Sequence, residues 1–424
     1  MLNPSPVLAD SLAAAARAVG SVLLGASLTT VLEAVQPRTL RAAAQDLAFN
    51  ALRGYGLVDV LLDQLLERPL AEPSMRGLLL VSLGELLNRP QSAHTVVHQA
   101  VEAATLVAQP RAKGLVNAVL RNFLRRGDLL RAAIEKTETG RLRHPQWWID
   151  RVHTAYPHRW EEILAAANGH PPMTLRINLR RSSVEDYLER LRRTDMPARA
   201  LGGAAVLLER PCRIDALPGF REGEVSVQDK GAQAAAPLLG VKPGMRVLDA
   251  CAAPGGKAAH MLELANCDLL AIDISRERAA RIEENFTRLG LKGIVDVADA
   301  SEPATFWDRR PFDRILADVP CSASGVVRRH PDIRWLRREA DIARYASLQA
   351  RMLESLWPLL APGGTLLYAT CSVFREENGE QVQRFLGRHP EALAMPLTGL
   401  ENGQIMPGTE TDGFYYALLQ KNRS

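Results

Sequence analysis

Two cysteines, Cys321 and Cys371, have the sequence surroundings of reactive residues. Each follows a run of apolar residues typical of a buried strand, in ADVPCSASG and in YATCSVFREENG. Serine, glycine or proline residues next to them indicate loops rather than positions in a packed core. If the two strands belong to one parallel sheet, their carboxyl ends lie at the edge where such sheets bind ligands. We therefore expect both thiols in one pocket.

Two neighbouring thiols suit the methylation of carbon 5 of a cytosine. That carbon is too weakly nucleophilic to attack a methyl sulfonium, but a thiolate that adds to carbon 6 converts the ring into an enamine. The proton on carbon 5 must then leave before the thiolate can be expelled, so a second group has to assist. Lys257 could favour the thiolate through its positive charge. Asp318, which precedes Cys321 by three residues, could hydrogen-bond the cytosine N3 and amine.

A loop of small residues after another predicted strand indicates a cofactor site. In DACAAPGGKAAH, Asp249 to His260, two glycines let the backbone approach a ligand, and the lack of a Walker lysine-threonine pair argues against a phosphate cradle. The next strand ends at Asp273, where a carboxylate can accept hydrogen bonds from both ribose hydroxyls of an adenosine. The third predicted strand ends near Asp299, whose carboxylate could accept a hydrogen bond from an adenine amine. Three acidic strand ends predict a nucleoside cofactor.

The part of the chain after Val227 alternates short apolar runs with amphipathic stretches such as Arg276 to Gly290. Continuous apolar strands separated by helices are typical of a doubly wound parallel sheet, with helices on both faces. We predict an α/β domain over residues 226–424. Its strands are RVLDACA, LLAIDIS, VDVADA, FDRILADVP and GTLLYATCS.

The preceding residues contain two further regions. From about Asp10 to Ala133, apolar residues recur at spacings of three and four, which predicts an all-α domain over residues 1–140. One predicted helix, Lys113 to Arg126, is basic. Its basic residues either face solvent or contact RNA. Residues 141–225 mix strand and helix patterns and predict a small α+β module with exposed arginines. These are Arg176, Arg180, Arg181, Arg192 and Arg193.

Composition narrows the class of protein. The net charge of +4 over 424 residues is too small to argue for nucleic acid by itself. The five cysteines are scattered and lack CxxC spacing, which argues against a disulfide framework or a zinc site. Ser11 to Val35 lacks the basic start of a signal peptide, and no apolar run reaches the ~18 residues of a membrane span. We expect a monomeric, cytoplasmic protein without metal or membrane association.

Together the motifs resemble those of the RNA cytosine-C5 methyltransferases, the family of bacterial small-subunit ribosomal RNA enzymes and of the eukaryotic nucleolar and NSUN enzymes. DACAAPGGK, DVPCSASGVVRRHPDIRW, LLYATCSVFREENGEQV and DGFYYALLQK all match, within about Met173 to Lys421. The N-terminal part resembles the antitermination factor NusB, an all-helical RNA-binding fold, most clearly in KGLVNAVLR. The resemblance implies a Rossmann-like class I methyltransferase domain that uses S-adenosylmethionine on small-subunit (16S) ribosomal RNA.

The resemblance also implies roles for single residues. Cys371 matches the nucleophile, and Cys321 matches the residue that helps to release the product. Asp318 matches a cofactor-binding position, in addition to being the candidate contact to the cytosine. The other positions that match the cofactor site are Cys251, Ala252, Ala253, Pro254, Gly255, Gly256, Lys257, Asp273 and Asp299.

Arginines from three regions are candidates for contacting RNA phosphates. The segment VVRRHPDIRWLRR, Val326 to Arg338, follows Cys321 closely, and this proximity favours RNA contact over a solvated basic helix. The basic helix and the small α+β module supply the others. We expect contacts from Arg121, Arg125, Arg176, Arg328, Arg329 and Arg334.

Two other functions are compatible with parts of this pattern. A DNA cytosine-C5 methyltransferase would use the Pro-Cys loop as its nucleophile, which would give that role to Cys321. The TCS motif at Cys371 and the basic N-terminal region disfavour this reading. A non-catalytic RNA-binding or ribosome-assembly protein could carry a degenerate methyltransferase fold. The intact cofactor loop and both cysteines argue against it.

Overall fold

The computed structural model describes residues 7–107 and 112–422, and these form two compact units. The helical unit comprises the described residues up to His170 together with Val327–Glu339. The sheet unit comprises Pro171–Val326 and the described residues from Ala340 onwards. The division into three domains made from the sequence stays a prediction.

The helical unit has the predicted all-α character, and its helices continue to Asn168. Alanine and leucine side chains form its core. Helices α1 and α5 pack closely because Gly77 has no side chain: a Cβ there would lie 2.2 Å from the carbonyl oxygen of Ala16. The helices are α1 (Leu8–Leu23), α2 (Leu28–Glu33), α3 (Arg38–Arg53), α4 (Tyr55–Leu65), α5 (Pro73–Asn88), α6 (Ala93–Val107), α7 (Ala112–Ile134), α8 (Glu138–Leu142), α9 (Gln146–Ala155), α10 (Trp160–Asn168) and α16 (Ile333–Leu336).

The segment Val327–Glu339 belongs to the helical unit although its sequence lies between two strands of the sheet unit. The ring of Trp335 lies 4.7 Å from that of Tyr55 at an interplanar angle of 56°, and its indole N–H donates to the carbonyl of Leu52 at 2.9 Å. The carboxylate of Asp332 accepts from the amide of Leu28, the first residue of α2, at 2.9 Å. The segment is therefore a structural part of the helical bundle, which the sequence did not indicate.

The position of this segment contradicts two of the RNA contacts expected from the sequence. Arg334 is fully buried, and its guanidinium donates to the carbonyls of Arg143 and Ala167 and to the side chain of Asn168, each at 2.7–2.8 Å. Arg328 is only 4% exposed. The expectation that both side chains reach RNA was wrong because both are buried.

The sheet unit begins with a small antiparallel sheet in the order β2-β3-β1-β4, covered by α11 (Val184–Arg193). Arg176 on β1 was expected to be exposed and to contact RNA. This was wrong: it is 1% exposed and forms a two-fold hydrogen-bonded ion pair with Glu263 at 2.8 and 2.9 Å. The strands are β1 (Met173–Ile177), β2 (Ala198–Gly202), β3 (Ala205–Leu208) and β4 (Val225–Val227).

The larger sheet follows the order β10-β12-β9-β8-β5-β6-β7, with β11 paired to β12. The strands from β9 to β7 are parallel, as predicted, whereas β10, β11 and β12 add antiparallel pairings at one side. Its strands are β5 (Arg246–Asp249), β6 (Asp268–Asp273), β7 (Ile294–Val297), β8 (Phe312–Asp318), β9 (Leu360–Thr370), β10 (Ala392–Met395), β11 (Gln404–Ile405) and β12 (Phe414–Lys421). Its helices are α12 (Lys230–Gln233), α13 (Ala235–Leu239), α14 (Gly256–Leu264), α15 (Arg276–Leu289), α17 (Glu339–Leu356) and α18 (Gly379–Leu386).

Both faces of the larger sheet are buried, which explains its continuous apolar strands. Neighbouring residues on one strand, such as Val247 and Leu248 or Leu316 and Ile315, pack into different hydrophobic clusters. The strand order reverses between β5 and β8, and a sheet of this kind binds its ligand outside the carboxyl ends of the strands at such a point. No helix among the described residues is long and apolar enough to cross a membrane.

Candidate active site

The structure brings the two predicted reactive thiols together, with the Sγ atoms of Cys321 and Cys371 3.4 Å apart. Cys321 follows the end of β8 by three residues, and Cys371 directly follows β9. These strands are parallel neighbours, with Asp318 paired to Ala369. Adjacent strand ends therefore place both loops at the same edge of the sheet, next to the reversal point between β5 and β8.

The two thiols differ in their surroundings. Cys321 is buried, at 9% exposure, whereas Cys371 is half-buried. Its hydrogen bond with Cys371 raises the pKa of Cys321 well above that of a free thiol, and burial raises it further. Cys321 is therefore a neutral thiol at rest, and either sulfur can be the donor of the hydrogen bond between them.

Lys257 and Asp318 form an ion pair at this edge, with Nζ 2.5 Å from Oδ2. Burial by itself would lower the pKa of Lys257, but the charge of Asp318 outweighs it and raises that pKa. The ammonium also lies 5.7 Å from the centroid of the Phe414 ring and interacts electrostatically with Cys371. Lys257 is therefore a permanent positive charge near the half-buried thiol.

A buried carboxylate that the sequence analysis missed holds the two cysteine loops in place. Glu377 is fully buried, and its Oε1 accepts from the amide of Ser322 at 2.8 Å and from the side chain of Gln349 at 3.0 Å. Its Oε2 accepts from the hydroxyls of Ser322 and Ser372 at 2.5 and 2.6 Å. Each serine directly follows a reactive cysteine, so Glu377 fixes the spacing of the loops. The signal in the sequence was an acidic residue six positions after Cys371.

The loop between β5 and α14 packs closely against β6 and α15, while its approach to a ligand stays a prediction. The amide of Ala252 donates to the carbonyl of Ile272 on β6 at 2.9 Å. Gly255 has a φ of +96°, and a Cβ there would lie 3.2 Å from the Cα of Ile282. Arg176 donates to the carbonyl of Gly256 at 2.7 Å, which anchors the start of α14.

The acidic strand ends lie along the same edge. Asp249 is 1% exposed, neither carboxylate oxygen has a hydrogen-bond partner among the described residues, and burial together with Asp318 raises its pKa to about 7. Asp273, also buried, accepts from the amide of Ser275 and pairs with Arg278. Half-buried Asp299 accepts from the amide and hydroxyl of Ser301 at 2.8 and 2.7 Å, so it also has a local structural role.

These residues fit S-adenosylmethionine. A buried, unpartnered carboxylate beside further acids suits a ligand with a sulfonium and an ammonium group, because an opposite charge offsets the cost of burial. The thiol of Cys251 in the loop is half-buried, and burial followed by the charge of Asp318 raises its pKa, so it stays neutral. Within residues 7–107 and 112–422, no group of three or more His, Cys, Asp or Glu could hold a metal ion.

The remaining expected RNA contacts have different surroundings. Arg121 and Arg125 are exposed on α7, which is compatible with the role predicted for them. Arg329 is half-buried, and its RNA contact stays a prediction.

Family models match three parts of the chain. The model for the 16S rRNA methyltransferases RsmB/F matches residues 236–420. The ferredoxin-like domain of RsmF/B-like methyltransferases matches residues 144–215, and the NusB family matches residues 11–125.

Two relatives and one solved structure match nearly the whole length, and a second solved structure matches two thirds of it. Ribosomal RNA small subunit methyltransferase B of Pseudomonas putida is 44% identical over 98% of this chain and 98% of its own, and that of Salmonella arizonae is 43% identical over 96% and 97%. The crystal structure of PH0851 matches with a TM-score of 0.81 and 25% identity over 98% of this chain and 99% of its own. A methyltransferase homolog from Pyrococcus horikoshii matches with a TM-score of 0.59 and 27% identity over 67% and 97%. This chain belongs to the 16S rRNA methyltransferase RsmB/F family.

Proposed function

We propose that this protein transfers a methyl group from S-adenosylmethionine to carbon 5 of one cytosine in small-subunit ribosomal RNA, with Cys371 as nucleophile. The observation that carries the proposal is the 3.4 Å separation of the two thiols beside the Lys257–Asp318 pair. Family membership supports the donor and the ribosomal RNA substrate. The protein would act in the cytoplasm, where ribosomal RNA is made. That it is a monomer stays a prediction.

Cys371 begins the reaction by adding its thiolate to carbon 6 of the cytosine, which makes carbon 5 nucleophilic. The Lys257 ammonium favours the thiolate over the thiol, because an opposite charge stabilises the ionised form. S-adenosylmethionine, when bound, supplies an electrophilic methyl group to carbon 5. Asp318 is the candidate for hydrogen-bonding the N3 and amine of the ring.

Cys321 completes the reaction by taking the proton from carbon 5. The electrons of that bond then form the carbon 5–carbon 6 double bond, and the bond from carbon 6 to the sulfur of Cys371 breaks. The largest cause of the raised pKa of Cys321 is its hydrogen bond with Cys371. In the adduct the sulfur of Cys371 carries the ring and can no longer ionise, which removes a cause of the raised pKa of Cys321. Cys321 can then release its own proton to water, and the resulting thiolate takes the proton from carbon 5.

A methyl-transfer assay tests the proposal. Wild-type protein, tritiated S-adenosylmethionine and small-subunit ribosomal RNA should give labelled RNA, and bisulfite sequencing should locate one protected cytosine. Cys371→Ala should abolish the transfer, whereas Cys212→Ala should retain it, because Cys212 is a half-buried thiol of the small sheet. Unchanged transfer by Cys371→Ala would overturn the assignment.

A further inference from the structure

A polar cavity of about 360 Å³ lies within the helical unit, which is in the ~300–1,000 Å³ range of ligand pockets. Residues of α3, α4, α5 and α7 and residues at the ends of α8 and α10 line it, and side chains with N–H donors converge there. These donors belong to Asn50, Arg53, Asn88, Arg89, Arg131 and Arg143.

Arg53 is the buried member of this set. It is 8% exposed, it donates to the carbonyl of Arg328 at 3.0 Å, and its Nε is buried without a hydrogen-bond partner. Its Nη1 donates to the side chain of Asn50 at 3.4 Å, so Nε is the donor left over. A buried donor without a partner costs free energy, so an acceptor oxygen placed there would stabilise the site.

Positive charge around the cavity is only partly compensated. Arg89 and Arg131 have acidic neighbours, whereas among the described residues Arg53, Arg143 and Arg334 make no salt bridge. Burial, followed by the charges of Arg53 and Arg143, lowers the pKa of Arg334 to about 9. Arg53 and Arg143 therefore each repel Arg334, and the nearby Asp46 and Glu135 offset the burial of Arg53 and Arg143 only in part, because the pKa of both stays lowered. Arg334 itself does not line the cavity, and its guanidinium donates to protein oxygens.

We propose that this cavity binds a phosphate group of the RNA substrate. A phosphate offers several acceptor oxygens and a negative charge, which match the planar donor forks of Arg53 and Arg143 and the amides of Asn50 and Asn88. The assignment to RNA, rather than to a small free anion, rests on the proposed function. The site is separate from the exposed arginines of α7 that the sequence indicated.

Fluorescence anisotropy with a labelled fragment of small-subunit ribosomal RNA tests the site in the full-length protein. Arg143→Gln should weaken RNA binding about tenfold and reduce the slope of affinity against salt by ~0.7–0.9, the value of one lost phosphate contact. Arg141→Gln is the matched control, because Arg141 is exposed, pairs with Glu161 and does not line the cavity. Its RNA affinity should equal that of the wild type.

Arg131→Gln is a second cavity variant, chosen because the side chain of Arg131 is about half exposed on α7 and its replacement should leave the fold intact. Circular dichroism melts should show both variants folded. At matched ionic strength, inorganic phosphate should displace RNA from the wild type more than from Arg143→Gln. Wild-type RNA affinity in both cavity variants would overturn the proposal, and so would phosphate binding that depends on Arg143 while RNA affinity does not.

The outcome is separable from that of the proposed function. RNA binding that depends on Arg143, in a protein that transfers no methyl group, would support the cavity and reject the enzymatic proposal. Methyl transfer by a protein whose RNA affinity changes in neither Arg143→Gln nor Arg131→Gln would support the enzymatic proposal and reject the cavity.

Discussion

At the scale of single residues, the site combines thiols and carboxylates whose proton affinities differ because their surroundings differ. Cys321 is held neutral by its neighbour and by burial, while the raised pKa of Lys257 keeps a positive charge near Cys371. Asp249 is the buried acid without a partner. Residue types alone predicted the members of this set, but burial, which decides their charge states, could not be read from them.

Asp249 should make stability depend on pH in the absence of cofactor. Its pKa is about 7 in the folded protein, against 3.8 for an ordinary aspartate, so the folded state favours the protonated form. Protonated Asp249 therefore contributes up to ~4 kcal/mol to the free energy of unfolding. This contribution is fully present below pH 4 and is lost as the pH rises to about 7. Asp249→Asn should therefore be more stable than wild type at pH 8 and similar at pH 4. Urea unfolding at both pH values checks this, and an equal difference at the two would contradict it.

At the scale of elements, the sequence predicted the strand ends well, because buried parallel strands are continuous apolar runs. It could not assign Val327–Glu339 to the helical unit. The basic composition of that segment is the same for an exposed face as for a buried one, and Arg334 donates to carbonyls more than 160 residues away in the chain. Glu377 was missed for the same reason, since its partners come from three separate segments.

Replacing Glu377 should slow the reaction without weakening cofactor binding. In Glu377→Gln, an amide that donates replaces a carboxylate oxygen that accepts, so the loops of Cys321 and Cys371 lose part of their common anchor. We expect kcat to fall at least tenfold and the Kd for S-adenosylmethionine to stay within about twofold, measured by methyl transfer and calorimetry. Glu380→Gln, an exposed acid on α18, is the control and should leave both unchanged. A fall in cofactor affinity with normal kcat would contradict the positioning role.

At the scale of the whole molecule, the chain leaves the sheet unit after Val326 and returns to it at Ala340. The sequence predicted an all-α region and a sheet region, and both are present. The sequence did not indicate that Val327–Glu339 belongs to the helical unit. A change from helical to alternating strand and helix patterns predicts a single domain boundary, not a return of the chain to the first unit.

The helical unit should need the inserted segment to fold stably. Residues 1–170 alone lack Asp332 and Trp335, which bond to α2 and α3. Expressed alone, they should melt at a lower temperature than the same residues joined through a flexible Gly/Ser linker to residues 327–339. Differential scanning calorimetry of the two proteins measures this, and identical melting would show that the segment contributes little.

The central claim is that Cys371 forms the covalent bond and Cys321 releases it. Incubation of each cysteine variant with RNA and S-adenosylmethionine, followed by a denaturing gel, tests it most directly. Cys321→Ala should accumulate a protein–RNA complex that survives denaturation, because attack is intact and elimination is blocked, and Cys371→Ala should give none. A stable complex in Cys371→Ala that disappears in Cys321→Ala would contradict the account.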